Sequence, residues 1–174
     1  MSVIRTIELI PHERFELQQH RSTSAWPHLY RLLDQVNDPE IPVISIWEMG
    51  ILQNVVLGTT ESNQTQVTVT ITPTYSGCPA MQQISEDVKT TLANAGYPNV
   101  IVKQQLSPPW TTDWMTPRTK KQLRSYGIAP PEDQSCPQCG SKDITTISEF
   151  GSTACKAQLR CNTCLEPFDH FKAI

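Results

Sequence analysis

The sequence predicts an α+β protein, a small three-stranded sheet covered by two helices, followed by a compact cysteine-rich satellite. Three observations carry this. Apolar residues recur at helical spacing in two stretches. Between and after them, apolar positions alternate at a period of two. Four of the six cysteines fall into two CxxC pairs close to the C-terminal end.

Taken in order, residues 1–23 are polar and read as a loosely held N-terminal arm. A helix is expected from about Ser24, because Trp26, Leu29, Leu33 and Val36 share one face, and Asn37-Asp38-Pro39 stops it. Ser45 with Glu48 three residues on is a capping-box pattern, and Gly50 is a natural stop, so this stretch reads as one helical turn. Residues 51–58 read as a strand and 59–64 as a hairpin turn. Val67, Val69 and Ile71 then alternate with polar residues as in a half-buried strand. After the turn PTYSGCP comes a second helix with Met81, Ile84, Val88, Leu92 and Ala95 on one stripe. Gly96 ends it, and residues 99–106 give a third strand. The 24–106 segment is thus one domain. Residues 107–134, rich in proline, read as a connector that packs through Trp110 and Trp114 and carries a short basic helix from Thr119 to Tyr126. Residues 135–174 form the satellite.

The formal net charge is −3 and the pI about 5.8, which argues against a basic nucleic-acid grip. No stretch approaches the roughly 18 apolar residues of a membrane helix, and the N-terminal segment lacks the apolar core of a signal peptide. The expected location is therefore the cytoplasm. Thiols are reduced there, so cysteine spacing is read as metal chemistry before disulfides. The Asn63-Gln64-Thr65 sequon reads as accidental.

Cys136-Pro-Gln-Cys139 and Cys161-Asn-Thr-Cys164 are separated by 21 residues. Each CxxC turn brings two thiolates to one metal, and a second turn closes a tetrahedral site. So small a satellite has too little core to fold unaided, and a bound metal would supply the missing stability. The expectation is a zinc-ribbon-like unit with Cys136, Cys139, Cys161 and Cys164 as ligands. Segments 144–148 and 156–160 would be its strands, and Lys156 and Arg160 would offset the site's negative charge. The same spacing accepts iron in a four-thiolate site. Cys155 reads as a spare buried thiol, a fifth thiol near the metal, or a transfer ligand.

Cys78 lies where a strand feeds a helix, with Pro79 as the first helical residue. A thiol there faces free backbone N–H groups and the positive end of the helix, which favours the reactive thiolate. The acidic turn Asp38-Pro39-Glu40 lies beyond the first helix. If both turns converge, a thiolate and two carboxylates would face one shallow pocket able to hold a metal or cluster transiently. The alternative is that Cys78 is a small buried residue and Asp38 an ordinary helix stop. The histidines His12, His20, His28 and His170 have no ligand-spaced partners, and no catalytic triad, phosphate loop or dinucleotide fingerprint is present.

NDPEIPVISIWEMGIL and TPTYSGCPAM resemble the signature segments of the MIP18-like iron–sulfur assembly domain. The segment SPPWTTDWMTPRTKKQLRSYGIAPP, with CPQC, EFGSTACKAQLRCNTC and EPFDHFK, resembles the D-component family of bacterial 1,2-phenylacetyl-CoA epoxidase (phenylacetate-CoA oxygenase) systems. The resemblance covers about residues 25–174. It implies a role in aerobic phenylacetate catabolism beside a di-iron catalytic subunit and a reductase with flavin and a 2Fe–2S centre, supporting maturation of that complex without turning over substrate. The family's marked positions fall on Asp38, Glu40, Thr74 and Cys78 in the assembly domain, and on Cys136, Cys139, Cys155, Cys161 and Cys164 in the ribbon.

The leading expectation is a non-catalytic accessory factor in which Cys78 transiently holds iron or an iron–sulfur cluster while the four-cysteine site holds zinc. Its partners would be the reductase or di-iron subunit, with no nucleic acid and no membrane; the sequence leaves the oligomeric state open. The alternative is an electron-transfer subunit with iron in the four-cysteine site. A direct role in epoxidation lacks the carboxylates and Glu-x-x-His spacing of di-iron bundles.

Overall fold

The two apolar stripes become helices α2 (Pro27–Leu33) and α3 (Ala80–Asn94) in a computed structural model that describes residues 12–174. Pro27 opens α2 with its missing N–H at the position where none is needed. Leu29, Tyr30 and Leu33 of α2, and Ile84, Val88 and Leu92 of α3, are all fully buried. They cover the inner face of a three-stranded sheet: β1 (Leu52–Thr59), β2 (Thr65–Ile71) and β3 (Val100–Gln104), in that order. The β1–β2 pair is antiparallel across the hairpin. β3 returns parallel to β2 through α3, as a crossover helix allows. Val67, Val69 and Ile71 all face inward, so a one-residue slip in β2 would expose all three.

The arm expected over residues 1–23 contains helix α1 (His12–Thr23). Periodicity missed it because polar groups hold it more than an apolar stripe does. The Arg14 side chain is fully buried, donates to the carbonyls of Trp47 (3.1 Å) and Trp114 (2.9 Å), and lies 4.2 Å over the Trp47 ring. Burial, with Arg21 nearby, lowers its pKa to about 10. Arg21 forks onto Asp34 at 2.6 and 2.8 Å, fixing α1 to the end of α2. The first eleven residues of the expected arm lie outside the described residues.

The 45–50 stretch closes as its sequence suggests. Glu48 N–H donates to Ser45 Oγ, and the Ser45 N–H to the Glu48 carboxylate, both at 3.2 Å. Gly50, at φ +80°, allows close approach of the connector: a Cβ there would sit 2.6 Å from Trp114 Cβ. The connector is held tightly. Trp110 and Trp114 are buried, and Trp110 Nε1 donates to the Met49 carbonyl at 3.2 Å. Thr116 caps helix α4 (Pro117–Ser125), and Thr119 Oγ1 donates to the Glu48 carbonyl at 2.8 Å.

The connector then supplies β4 (Ile128–Ala129), an edge strand of a second sheet with β5 (Ile144–Ser148), β6 (Lys156–Cys161) and β7 (Pro167–Phe171), in the order β4-β7-β6-β5. The satellite is therefore not a separate ball. One end has its own small core of Ala129, Cys136, Leu159, Cys161 and Phe168. Its other end contributes Phe171 and Cys155 to the main core, with the Phe171 ring 6.0 Å from that of Trp110.

Candidate metal centre and a second thiol environment

Two knuckles bring four sulfurs together at one end of the second sheet. In the first, the Gly140 N–H bonds the Cys136 carbonyl at 2.9 Å, and Gly140 takes φ +75°. In the second, the Cys164 N–H points at Cys161 Sγ (3.5 Å), and Leu165 holds the matching left-handed position at φ +65°. Gly140 was legible as a turn residue; Leu165 in the same role was not, because leucine carries no turn signal. The sulfurs of Cys136, Cys139, Cys161 and Cys164 all lie within 4.8 Å of one another, with Cys136–Cys164 at 3.6 Å and Cys139–Cys161 at 3.5 Å. A tetrahedral metal with M–S bonds of about 2.3 Å needs edges of about 3.8 Å, so the donor set fits such an ion. The backbone N–H of Cys164 and that of Thr163 help hold the Cys161 thiol down to about 6. The N–H of Glu166 works in the same direction on Cys164, but burial and the other three thiols push it up to about 12. Such crowding is relieved when a cation replaces the protons.

Lys156 does not serve this site. It is buried, with Nζ 3.6 Å from Glu40 and 3.8 Å from Asp169. Alternation along β6 turns it toward the main core. The cation that reaches the knuckle is Arg124 of α4, which donates to the Cys136 carbonyl at 3.4 Å and pairs with Asp133 at 2.8 Å.

The second thiol environment lies on the assembly domain. Asp38 is buried, and its Oδ1 accepts from the N–H groups of Glu40 (2.8 Å) and Ile41 (2.9 Å), which sets the acidic turn. Burial pushes its carboxyl above the usual range, against those two bonds. Cys78 is half-buried just before α3, at the end of an open groove of about 470 Å³ lined by Gly77, Met81, Gln82, Ser85 and Gln104. The helix-end effect exists, since the Ala80 N–H favours the thiolate. It loses, however, to burial and to the fields of Cys155, Glu40 and Asp38, and the Cys78 pKa is raised. The sequence-based expectation of a favoured thiolate is corrected on this point: a short helix end cannot offset a low-dielectric site that also holds carboxylates.

Cys155 belongs to this environment and is not a fifth thiol of the four-cysteine set. Its sulfur lies 3.2 Å from Thr153 Oγ1, and the Thr153 and Thr74 hydroxyls favour its thiolate. Burial raises its pKa too. The acidic turn is tied to the second sheet through Lys156 and Glu40, and the charges of Cys155, Glu40 and Asp38 all reach Cys78. The histidines stay apart. His20 approaches the Tyr30 hydroxyl, His28 that of Tyr97, and His170 is buried against the Ala129 carbonyl (3.3 Å). The side chain of His12 lies outside the described residues. Among the described residues only the four-cysteine set gathers three or more such ligand atoms within 4.8 Å. No helix among them is long and apolar enough to cross a membrane.

Comparison with known proteins matches the same two halves. Residues 28–101 match the iron-sulfur cluster assembly protein family, and residues 123–172 the PaaD zinc beta ribbon domain. An Escherichia coli protein, named as the putative D component of 1,2-phenylacetyl-CoA epoxidase, is 45% identical, over 90% of this chain and 99% of that protein. A Porphyromonas gingivalis "Fe-S protein maturation auxiliary factor" is 34% identical, over 55% of this chain and 87% of its own. The crystal structure of a Domain of Unknown Function DUF59 protein from Bacillus anthracis aligns with 63% of this chain and 95% of its own, at 28% identity and a TM-score of 0.48.

Proposed function

The chain belongs to the family of phenylacetyl-CoA epoxidase D components, and we propose that it is an accessory maturation factor for that multicomponent oxygenase in aerobic phenylacetate catabolism. It assists iron–sulfur or di-iron cofactor assembly in the reductase or the di-iron subunit and does not itself turn over substrate. The observation that carries this reading is the contrast in donor sets. Cys78 lines an open groove and feels the charges of Asp38 and Glu40, whereas the four cysteines gather within 4.8 Å and complete one another's donor shell. A reachable thiol among oxygen ligands suits cargo held and passed on; a closed cage suits a metal that stays. The reading places the chain in the cytoplasm, where reduced thiols are the ordinary state.

The test is Cys78→Ala in cells producing the whole oxygenase. The variant should keep its thermal unfolding profile, while 2Fe–2S or di-iron occupancy of the purified oxygenase falls. Full occupancy would reject the reading.

For the four-cysteine site the reading is zinc, because rigid knuckles with no open coordination position make a structural centre. Protein purified without oxygen should be colourless with stoichiometric zinc. Stoichiometric iron with a visible thiolate-to-iron band would instead establish the electron-transfer alternative.

A further inference from the structure

We infer that Arg124 is a positioning residue of the four-cysteine centre: it holds the first knuckle from helix α4, so that metal affinity depends on a contact from outside the ribbon strands. The inference rests on the reading of that centre as a metal site and adds to it the residue that aims one half of the donor set.

The two knuckles are anchored differently. The second follows directly on β6, and the ribbon itself fixes it. The Cys161 N–H bonds the Glu166 carbonyl at 3.0 Å, and the Asn162 N–H the Asp143 carbonyl at 2.9 Å. The first knuckle belongs to the 130–143 stretch between β4 and β5, which contains neither strand nor helix. The far side of that stretch is tied to the second knuckle. Ser141 Oγ lies 2.8 Å from Thr163 Oγ1, and Asn162 Nδ2 donates to the Asp143 carboxylate at 2.8 Å. The near side, leading into Cys136, is held by Arg124. Its Nη1 donates to Asp133 Oδ2 at 2.8 Å and to Ser135 Oγ at 3.0 Å, and its Nη2 to the Cys136 carbonyl at 3.4 Å. Asp133 completes the arrangement by accepting the Ser135 N–H on Oδ1 at 3.0 Å. One planar fork thus grips Asp133, Ser135 and Cys136 together, which a point charge on a flexible stem does not do.

Helix α4 is in turn fixed on the assembly domain. The Glu48 carbonyl accepts from the Thr116 N–H at 3.0 Å and from Thr119 Oγ1 at 2.8 Å, and Gln122 Nε2 donates to the Val43 carbonyl at 3.0 Å. Leu123, the residue before Arg124, is fully buried in the main core. The guanidinium therefore starts from a rigid base and carries the assembly domain's hold as far as the first ligand. A cation placed for its charge alone needs no such base. Arg160, exposed and next to Cys161 in the chain, supplies charge without any of these contacts.

The experiment uses the full chain loaded with zinc and reads the zinc dissociation constant by competition with a chromophoric chelator. Arg124→Gln should weaken zinc binding by about ten-fold or more. Arg124→Lys should lose nearly as much although it keeps the charge, and Arg160→Gln should stay close to wild type. Asp133→Asn should also weaken binding, and combining it with Arg124→Gln should add little, since both act through one contact. Wild-type affinity in Arg124→Gln, full rescue by Arg124→Lys, or an equal loss in Arg160→Gln would each overturn the inference while leaving the metal reading intact. A wild-type chain that binds no zinc would remove both. Amide exchange in β1–β3 checks the fold; should Arg124→Gln disturb that sheet, Arg124→Lys and Asp133→Asn decide by the same criteria.

Discussion

The molecule uses thiols in two opposite ways, and the contrast explains why both halves are needed. At the far end of the ribbon, four sulfurs sit within 4.8 Å; backbone N–H groups help hold Cys161 down to about 6, while burial and the other three thiols push Cys164 up to about 12. At the junction of the halves, Cys78 and Cys155 are both held protonated beyond the ordinary cysteine range, chiefly by burial, with Glu40 adding to it. A cage surrounded by N–H donors is ready for a cation and keeps it. A thiol among apolar walls and carboxylates must lose its proton to bind and regains it readily. The lesson is that a thiol's readiness for a cation is set by what surrounds it, neighbouring thiols included.

The largest effect should come from emptying the cage. Metal binding contributes on the order of 10 kcal/mol in isolated zinc peptides, and the small core of Ala129, Leu159 and Phe168 cannot replace it. Strong chelation, or Cys136→Ser, should therefore abolish slow amide exchange in β5 and β6. β1–β3 should stay protected. If the ribbon strands remain protected without metal, the cage is not what holds them.

Phe171→Ala tests whether the junction can be loosened without touching any thiol. Phe171 is almost fully buried and packs on Trp110, so its loss should cost roughly 3–5 kcal/mol. The expected phenotype is a lower unfolding midpoint with zinc content preserved and iron uptake by the Cys78 environment reduced. Unchanged iron uptake in the folded variant would separate the junction from the thiol chemistry.

The smallest effect is that of pH on the edge where the connector joins the ribbon. Burial lowers the His170 pKa below its ordinary 6.5, against the pull of the Ala129 carbonyl. The unfolded chain therefore binds this proton more readily. The neutral ring's contribution is fully present above about pH 6.5 and is lost as pH falls from there through the lowered folded value. His170→Gln should flatten that slope in chemical denaturation between pH 7 and 5. An unchanged slope would assign it to other groups.

Much of the fold was legible because its signals are local. The Val67–Ile71 alternation, the Met81–Leu92 stripe and the Ser45–Glu48 cap each fit within a few residues, and each forms as the pattern suggests. Helix α1 escaped because Arg14 is held by carbonyls and a ring from distant segments, which no periodicity encodes. Strand β7 escaped because its partner β6 and the short β4 complete it only in the folded sheet.

The sequence by itself determined the α+β layout and the gathering of Cys136, Cys139, Cys161 and Cys164, because a CxxC turn sets its own geometry. Tertiary structure alone decided that Cys155 packs into the main core and not the cage, that Lys156 meets Glu40, and that the Cys78 thiol is pushed up. These are consequences of burial and of contacts across more than 70 positions of the chain. Burial and long-range charge exist only once the two halves have docked.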